Sequence, residues 1–428
     1  MQATISSPFR AWLIVVLLSA FMAINFGDKI VLGLSAGPIM RDLHLTHVQF
    51  GVIGSSFFAF FSLSAVVLGV VGNCVSTRRM LVGMMLLWSL AQAVPMALAS
   101  WSALVASRVV LGLGEGAAYP IALHSAYKWF PNDRRAIPTS LVAMGGTLGV
   151  GVAAPTLSYV IAGWSWQAAF AALSLVGLVW SGIWVTVGRE GALDAEPSAE
   201  VAQAGTTVAY RKLLGCPTIL GVQIVGFCAY WLLTLAVVWL PAYIGARFGY
   251  GQVAIGWVMT LPILCEIACV PAICWLSQRL SRQGVSSRVA RARVAAGCVG
   301  AAGVSTVLFV VLPGTILPLV CMALAFSIGD VIFILGHVMV AEITPARQRA
   351  AMLGITNGLI TLAGPLAPVV MGVLVDVGAN PVEGFATGFM AAGGFVVAGF
   401  LAGLALLNPE ADRRALTVGH VAGASIPG

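Results

Sequence analysis

Apolar runs of about twenty residues recur along nearly the whole chain, each closed by glycine, proline or charge. That is the length a helix needs to cross a hydrocarbon core of about 30 Å. Twelve such runs can be marked, at 11–36, 50–71, 80–98, 102–126, 136–160, 167–187, 216–240, 253–276, 294–312, 316–340, 351–376 and 386–407. The longest polar interval, 188–215, carries Glu190, Asp194, Glu196, Glu200, Arg211 and Lys212, and it parts the runs six and six. The pattern predicts an all-α integral membrane protein of twelve transmembrane helices. Its expected divisions are an N-terminal six-helix half over 1–187, a cytoplasmic linker over 188–215, a C-terminal half over 216–407 and a cytoplasmic tail over 408–428.

Composition agrees, since 60% of the 428 residues are hydrophobic and only 9% are charged. A soluble domain carries about a quarter charged residues, so most of this exterior must meet lipid. The net charge of +7 is topological. With the N-terminus in the cytoplasm, inner segments hold eighteen of the 22 basic residues, whereas outer loops hold only Arg41 and Arg247. This positive-inside bias predicts an inner-membrane protein with both termini cytoplasmic. No basic stripe interleaved with aromatics suggests nucleic acid. Arg10 before the apolar run from Ala11 to Phe26 has the outline of a cleavable leader, but Asn25, Asp28 and Lys29, with apolar residues continuing to Leu34, suit a permanent first helix. The eight cysteines lie mostly in apolar runs and read as small packing residues. Cys265 and Cys269 flank Glu266 at helical spacing, yet without a CxxC pair or adjacent His they do not make a metal site.

A weak internal repeat joins the halves. At an offset of 213 positions, Gly116 aligns with Gly329, His124 with His337, Arg134 with Arg347, Gly145 with Gly358, Gly151 with Gly364 and Pro155 with Pro368. The fourth run thus maps on the tenth and the fifth on the eleventh, as in carriers built from two parallel repeats.

Charges inside hydrocarbon cost at least about 2.5 to 3.5 kcal/mol each and so point to function. They are Asp28, Lys29, Arg108, Glu115, Glu266 and Asp330, with Asp376 near the end of a run. Arg108, Gly112, Glu115 and Tyr119 recur at helical spacing on one face. Arg108 and Glu115 stand two turns apart, roughly 10 Å along the axis, too far to pair with each other. Gly112 and Gly116 form a GxxxG that admits a close neighbour. The competing reading of Arg108 and Glu115 is a structural polar network between helices. Glu266, Asp330 and His337 are divided evenly between packing and function, and His124 reads as structural. No nucleophile, histidine cluster or cofactor motif indicates an enzyme.

The segments NFGDK at Asn25–Lys29 and PIMRDLHLTHVQFGVIGSSFFAF, with SRVVLGLGEGAAYP and KWFPNDRRA later, resemble the anion:cation symporter family of the major facilitator superfamily. The resemblance covers the chain in topology and is specific mainly in the first half. It implies a secondary transporter of small carboxylates or sugar acids, coupled to protons and working by alternating access, with no cofactor and no metal. Residues matching Asp28 and Glu115 are the implied proton sites. Those matching Lys29 and Arg108 are implied in holding the anion or pairing with these carboxylates. Asn25, Tyr119, Tyr230 and Asn357 are implied as substrate-binding, and Glu266 and Asp330 are candidate additional acids. Expected partners are a small organic anion, protons and the bilayer, with the chain working as a monomer. An anion exchanger or exporter, or a transporter-like receptor, is the alternative. The chain departs from the family pattern in three places. Lys29 stands where arginine is usual, which replaces a bidentate fork by a point charge. The loop motif after the second run keeps only Gly69 and Arg78, which weakens an inner charge latch. Glu266 is an acid the family does not lead one to expect.

Overall fold

A computed structural model describes residues 8–71, 75–131, 134–191 and 208–423. Asn73, Cys74, Asp133, Asp194, Glu196 and Glu200 lie outside the described residues, with most of the expected linker. Among the described residues the chain is helical without a strand. The first half runs through α1 (Pro8–Leu34), the short α2 (Ala36–Asp42), α3 (His47–Val71), α4 (Thr77–Ala97), α5 (Trp101–Glu115), α6 (Ala118–Tyr127), α7 (Ala136–Gly163) and α8 (Trp166–Val187). The second runs through α9 (Tyr210–Leu214), α10 (Pro217–Val238), α11 (Leu240–Phe248), α12 (Gln252–Val258) and α13 (Thr260–Arg282). After a π turn at Arg288–Arg293 follow α14 (Val294–Val311), α15 (Ile316–Ala325), α16 (Val331–Ile343), α17 (Arg349–Thr361), α18 (Ala363–Val377), α19 (Pro381–Leu406) and α20 (Pro409–Gly423).

Eleven helices or helix pairs among the described residues are long and apolar enough to cross a membrane. The expected run at 102–126 is the difference. It is divided into α5 and α6 around Gly116 and Ala117, and it carries Arg108, Glu115 and His124, which make it less apolar than the other runs. The weak repeat is visible in the breaks. α6 begins at Ala118 and α16 at Val331, while α7 begins at Ala136 and α17 at Arg349, each pair 213 positions apart.

Helix starts follow local chemistry. Ser76, Ser100 and Ser165 are N-caps whose hydroxyls accept from Arg79, Ala103 and Ala168 amides three residues on, satisfying donors the first turn leaves open. Large apolar side chains such as Leu175, Val179 and Ile183 stand exposed along α8, as expected of a surface that faces lipid rather than water.

Two compact units divide the chain. Unit 1 comprises Met1–Glu196 with Thr234–Ile263 and Gly364–Thr387. Within it α1 meets the end of α10 so closely that a Cβ on Gly33 would stand 2.0 Å from the Val237 carbonyl oxygen. The Asp376 carboxylate caps α3, accepting from the His47 and Val48 amides at 3.1 and 3.0 Å and lying 2.6 Å from His47 Nδ1. At the opposite end of α3 and α4, Glu190 takes the Arg78 amide at 2.7 Å, the Thr77 hydroxyl at 3.0 Å and Lys128 Nζ at 2.6 Å. Partial burial pushes the Glu190 carboxyl up, but these donors outweigh it and hold the group below its ordinary value.

Unit 2 comprises Pro197–Leu233, Leu264–Ala363 and Gly388–Gly428. Phe309, Phe326 and Phe389 meet edge to face in its interior. Its basic turn is tied down where Arg291 and the Ser287 hydroxyl donate to Glu342 at 2.6 and 2.8 Å, and the Ser287 amide donates to Glu410 at 2.6 Å. Asp412 caps α10 through the Thr218 amide at 2.8 Å.

Candidate functional site

Asn25, Asp28 and Lys29 fall within one and a third turns of α1, a helix buried along much of its length. Asn25, Asp28, Gln92, Arg108 and Glu115 are each only 1% exposed. Charged side chains so deep in a membrane helix need partners, and the structure supplies them in two linked groups. In the first, Lys29 Nζ lies 3.0 Å from Glu115 Oε2 and also donates to Asn25 Oδ1. The Phe26 ring stands 4.4 Å below the ammonium and the Phe61 ring 5.4 Å away, so the cation sits in an aromatic cradle. In the second, Arg108 reaches from α5 to the Asp28 carbonyl oxygen at 3.2 Å and to Gln92 Oε1 on α4. Gln92 Nε2 in turn donates to Asp28 Oδ1 at 2.8 Å. The Phe170 ring of α8 lies 5.2 Å from the guanidinium.

Arg108 and Glu115 do not pair with each other, in line with their spacing; each turns to α1 instead. The adjacent Asp28 and Lys29 serve different partners. The asymmetry between the two cations matters chemically. Lys29 is matched by a carboxylate, whereas Arg108 donates to a neutral amide oxygen and a backbone carbonyl. Arg108 Nε is buried without a hydrogen-bond partner among the described residues. A buried donor left open costs about 1 to 3 kcal/mol, and an anionic oxygen would satisfy it.

The break between α5 and α6 has an identifiable cause. Ser64 of α3 donates its hydroxyl to the Gly112 carbonyl at 2.9 Å and accepts from the Gly116 amide at 3.0 Å. The hydroxyl thereby takes the place of the Gly116-to-Gly112 bond that an unbroken helix would make, one of the recognised origins of a kink. Gly112 permits the approach, because a Cβ there would lie 2.4 Å from the Phe57 carbonyl oxygen of α3. Glu115 is the last residue before the break.

The remaining sequence candidates fall elsewhere. Tyr119 lies past the break, on α6, and is 39% exposed. Tyr230, half-buried against the Phe333 ring at 6.1 Å, and the exposed Asn357 belong to unit 2. So do Glu266, on α13, and Asp330, in the 3-10 turn before α16, which act on each other electrostatically. His337 Nδ1 donates to the Phe333 carbonyl one turn back. Cys265 and Cys269 have sulfurs 3.7 Å apart. Two residues that sequence reasoning passed over, Gln92 and Ser64, hold the site together.

Comparison with known proteins follows the same lines. A family model described as the Major Facilitator Superfamily matches residues 13–285 and 222–423. The chain is 24% identical over 411 residues to the probable sulfoacetate transporter of Cupriavidus necator, covering 90% of this chain and 91% of the relative. It is 23% identical to the hexuronate transporter of Bacillus subtilis, with 92% and 94% covered. It is also 23% identical to a probable galactarate/D-glucarate transporter of Escherichia coli, with 85% and 88% covered. Among solved structures, a bacterial homologue of the human lysosomal transporter Spinster superposes with a TM-score of 0.75 at 19% identity, covering 94% and 99% of the two chains. A D-xylose–proton symporter superposes at 0.72 with 14% identity, covering 93% and 98%.

Proposed function

Because this chain belongs to the Major Facilitator Superfamily and is a multi-pass membrane transporter rather than an enzyme, we propose that it carries a small organic acid across the membrane by proton-coupled symport. The observation that carries this reading is the buried quartet of two cations and two carboxylates, with Arg108 hydrogen-bonded among the described residues only to neutral acceptors. The relatives named for sulfoacetate, hexuronates and galactarate or D-glucarate support an acid of that class. Arg108 and Lys29 bind the anionic group, Asn25 adds a neutral donor, and Asp28 and Glu115 are the groups that take up and release protons. Protonation of Glu115 withdraws the partner of Lys29, which then seeks another anion. Substrate and proton therefore favour one another's binding, the reciprocity that coupling requires.

Energetics give the coupling its purpose. An anion entering an inside-negative cell works against about 2.3 kcal/mol per charge per 100 mV. Two accompanying protons reverse that sign for a monovalent acid, so that both gradients drive accumulation. The distribution of flanking arginine and lysine supports an inner-membrane location with both termini cytoplasmic.

The test is uptake into proteoliposomes of sulfoacetate, D-galacturonate and D-glucarate, with the outer solution made acidic. At least one acid should accumulate above its outside concentration, and a protonophore should abolish the accumulation. Transport that runs only against a preloaded anion, indifferent to the pH gradient, would favour exchange instead.

A further inference from the structure

The Gln92 amide occupies a place that the proposed chemistry does not by itself require. It lies on α4, is 1% exposed, and stands between an acid on α1 and a cation on α5. Its orientation is determined by its neighbours. An arginine has donors only, so the Arg108 guanidinium must face the amide oxygen, and the amide nitrogen must face Asp28. A hydrogen-bond donor is therefore held permanently against the Asp28 carboxyl at 2.8 Å. Such a donor bonds an ionised carboxylate more strongly than a protonated carboxyl, and it cannot itself accept the proton.

We infer that Gln92 is a positioning residue that ties the protonation of Asp28 to the placement of Arg108, through one amide bonded to both. When Asp28 is ionised, its bond to the amide nitrogen is strong and holds the amide oxygen against Arg108. When Asp28 gains a proton the bond weakens, and the Arg108 guanidinium loses a firmly held acceptor as an anion becomes its better partner. This deepens the proposed function and rests on its reading of Asp28 as a group that changes protonation. The groups that face Asp28 are few. Among the described residues α1 itself supplies Lys29, α4 supplies Gln92, and α5 supplies Arg108 and Glu115. The sequences of α7 and α8 between Ala136 and Val187 contain no charged residue.

The experiment reads Asp28 directly and needs no substrate. Infrared difference spectra of the purified protein, recorded as a function of pH, contain a protonated-carboxyl band that can be assigned by its loss in Asp28→Asn. Removing the donor in Gln92→Met should move the midpoint of that band to higher pH by about one unit, the scale of one charge-assisted hydrogen bond. Gln92→Leu, a second apolar replacement that removes the donor without adding a charge should Gln92→Met fail to fold, should also hold the Asp28 band to higher pH than the parent does. A merely structural role would lower the melting temperature and leave the midpoint in place. Parent-like midpoints in both variants would overturn the inference even if the parent accumulates an organic acid. A shifted midpoint in a parent that carries no acid would uphold the inference and overturn the proposed function.

Discussion

Arg108 is the residue on which the anion reading turns. Its donors reach Gln92 and the Asp28 carbonyl, its Nε has no hydrogen-bond partner among the described residues, and the side chain is buried almost completely. Arg108→Ala should weaken binding of the best acid by about tenfold or more, since each 1.4 kcal/mol of lost interaction is a factor of ten. Lys29→Arg should keep binding and alter preference among acids, because a planar fork replaces a point charge. Calorimetry at acidic pH on protein that still melts cooperatively would check both; parent-like affinity in Arg108→Ala would make that residue structural. Asn25, Asp28, Lys29, Arg108 and Glu115 were legible in the sequence because polarity and charge stand out in apolar runs. Gln92 was not, since one uncharged amide interrupts such a run at little cost, and its value lies in two partners from other helices. Tyr119 was placed on the Arg108 face by assuming a helical period that in fact stops at Gly116.

At the scale of elements, most helix positions were readable from the apolar runs, and the break between α5 and α6 was not. The run through LGLGEGAAYP is compatible with a continuous helix, and what divides it is a hydroxyl from α3, distant in sequence. The same break recurs 213 positions later, where α16 begins. The repeat therefore carries backbone geometry as well as identities. Ser64→Ala should leave the Gly116 amide and Gly112 carbonyl to a misaligned bond or none, costing about 1 to 3 kcal/mol. It should lower both melting temperature and uptake, while Ser64→Thr, which keeps the hydroxyl, should preserve them. Parent-like melting and uptake in Ser64→Ala would show that the break stands without this wedge. Glu190 is a further anchor whose role the sequence hid, because its partners, Thr77 and Arg78 at the start of α4 and Lys128 at the end of α6, are distant from it in sequence.

At the scale of the whole molecule, membrane class was readable from composition, and the clustering of eighteen among 22 basic residues on one set of connecting segments is what supports the proposed orientation. The assembly of unit 1 was not, because it depends on contacts such as Gly33 with Val237 and His47 with Asp376, which no local pattern announces. In the proposed function Asp28 and Glu115 move protons together with an organic acid. The most direct measurement follows the interior pH of proteoliposomes, with no imposed gradient, as the transported acid is added outside. Acid-induced acidification should be seen with the parent and be lost in Asp28→Asn and in Glu115→Gln, with Glu115→Gln still binding the acid. Proton entry that persists unchanged in both variants, or acid entry with no pH change in the parent, would contradict it.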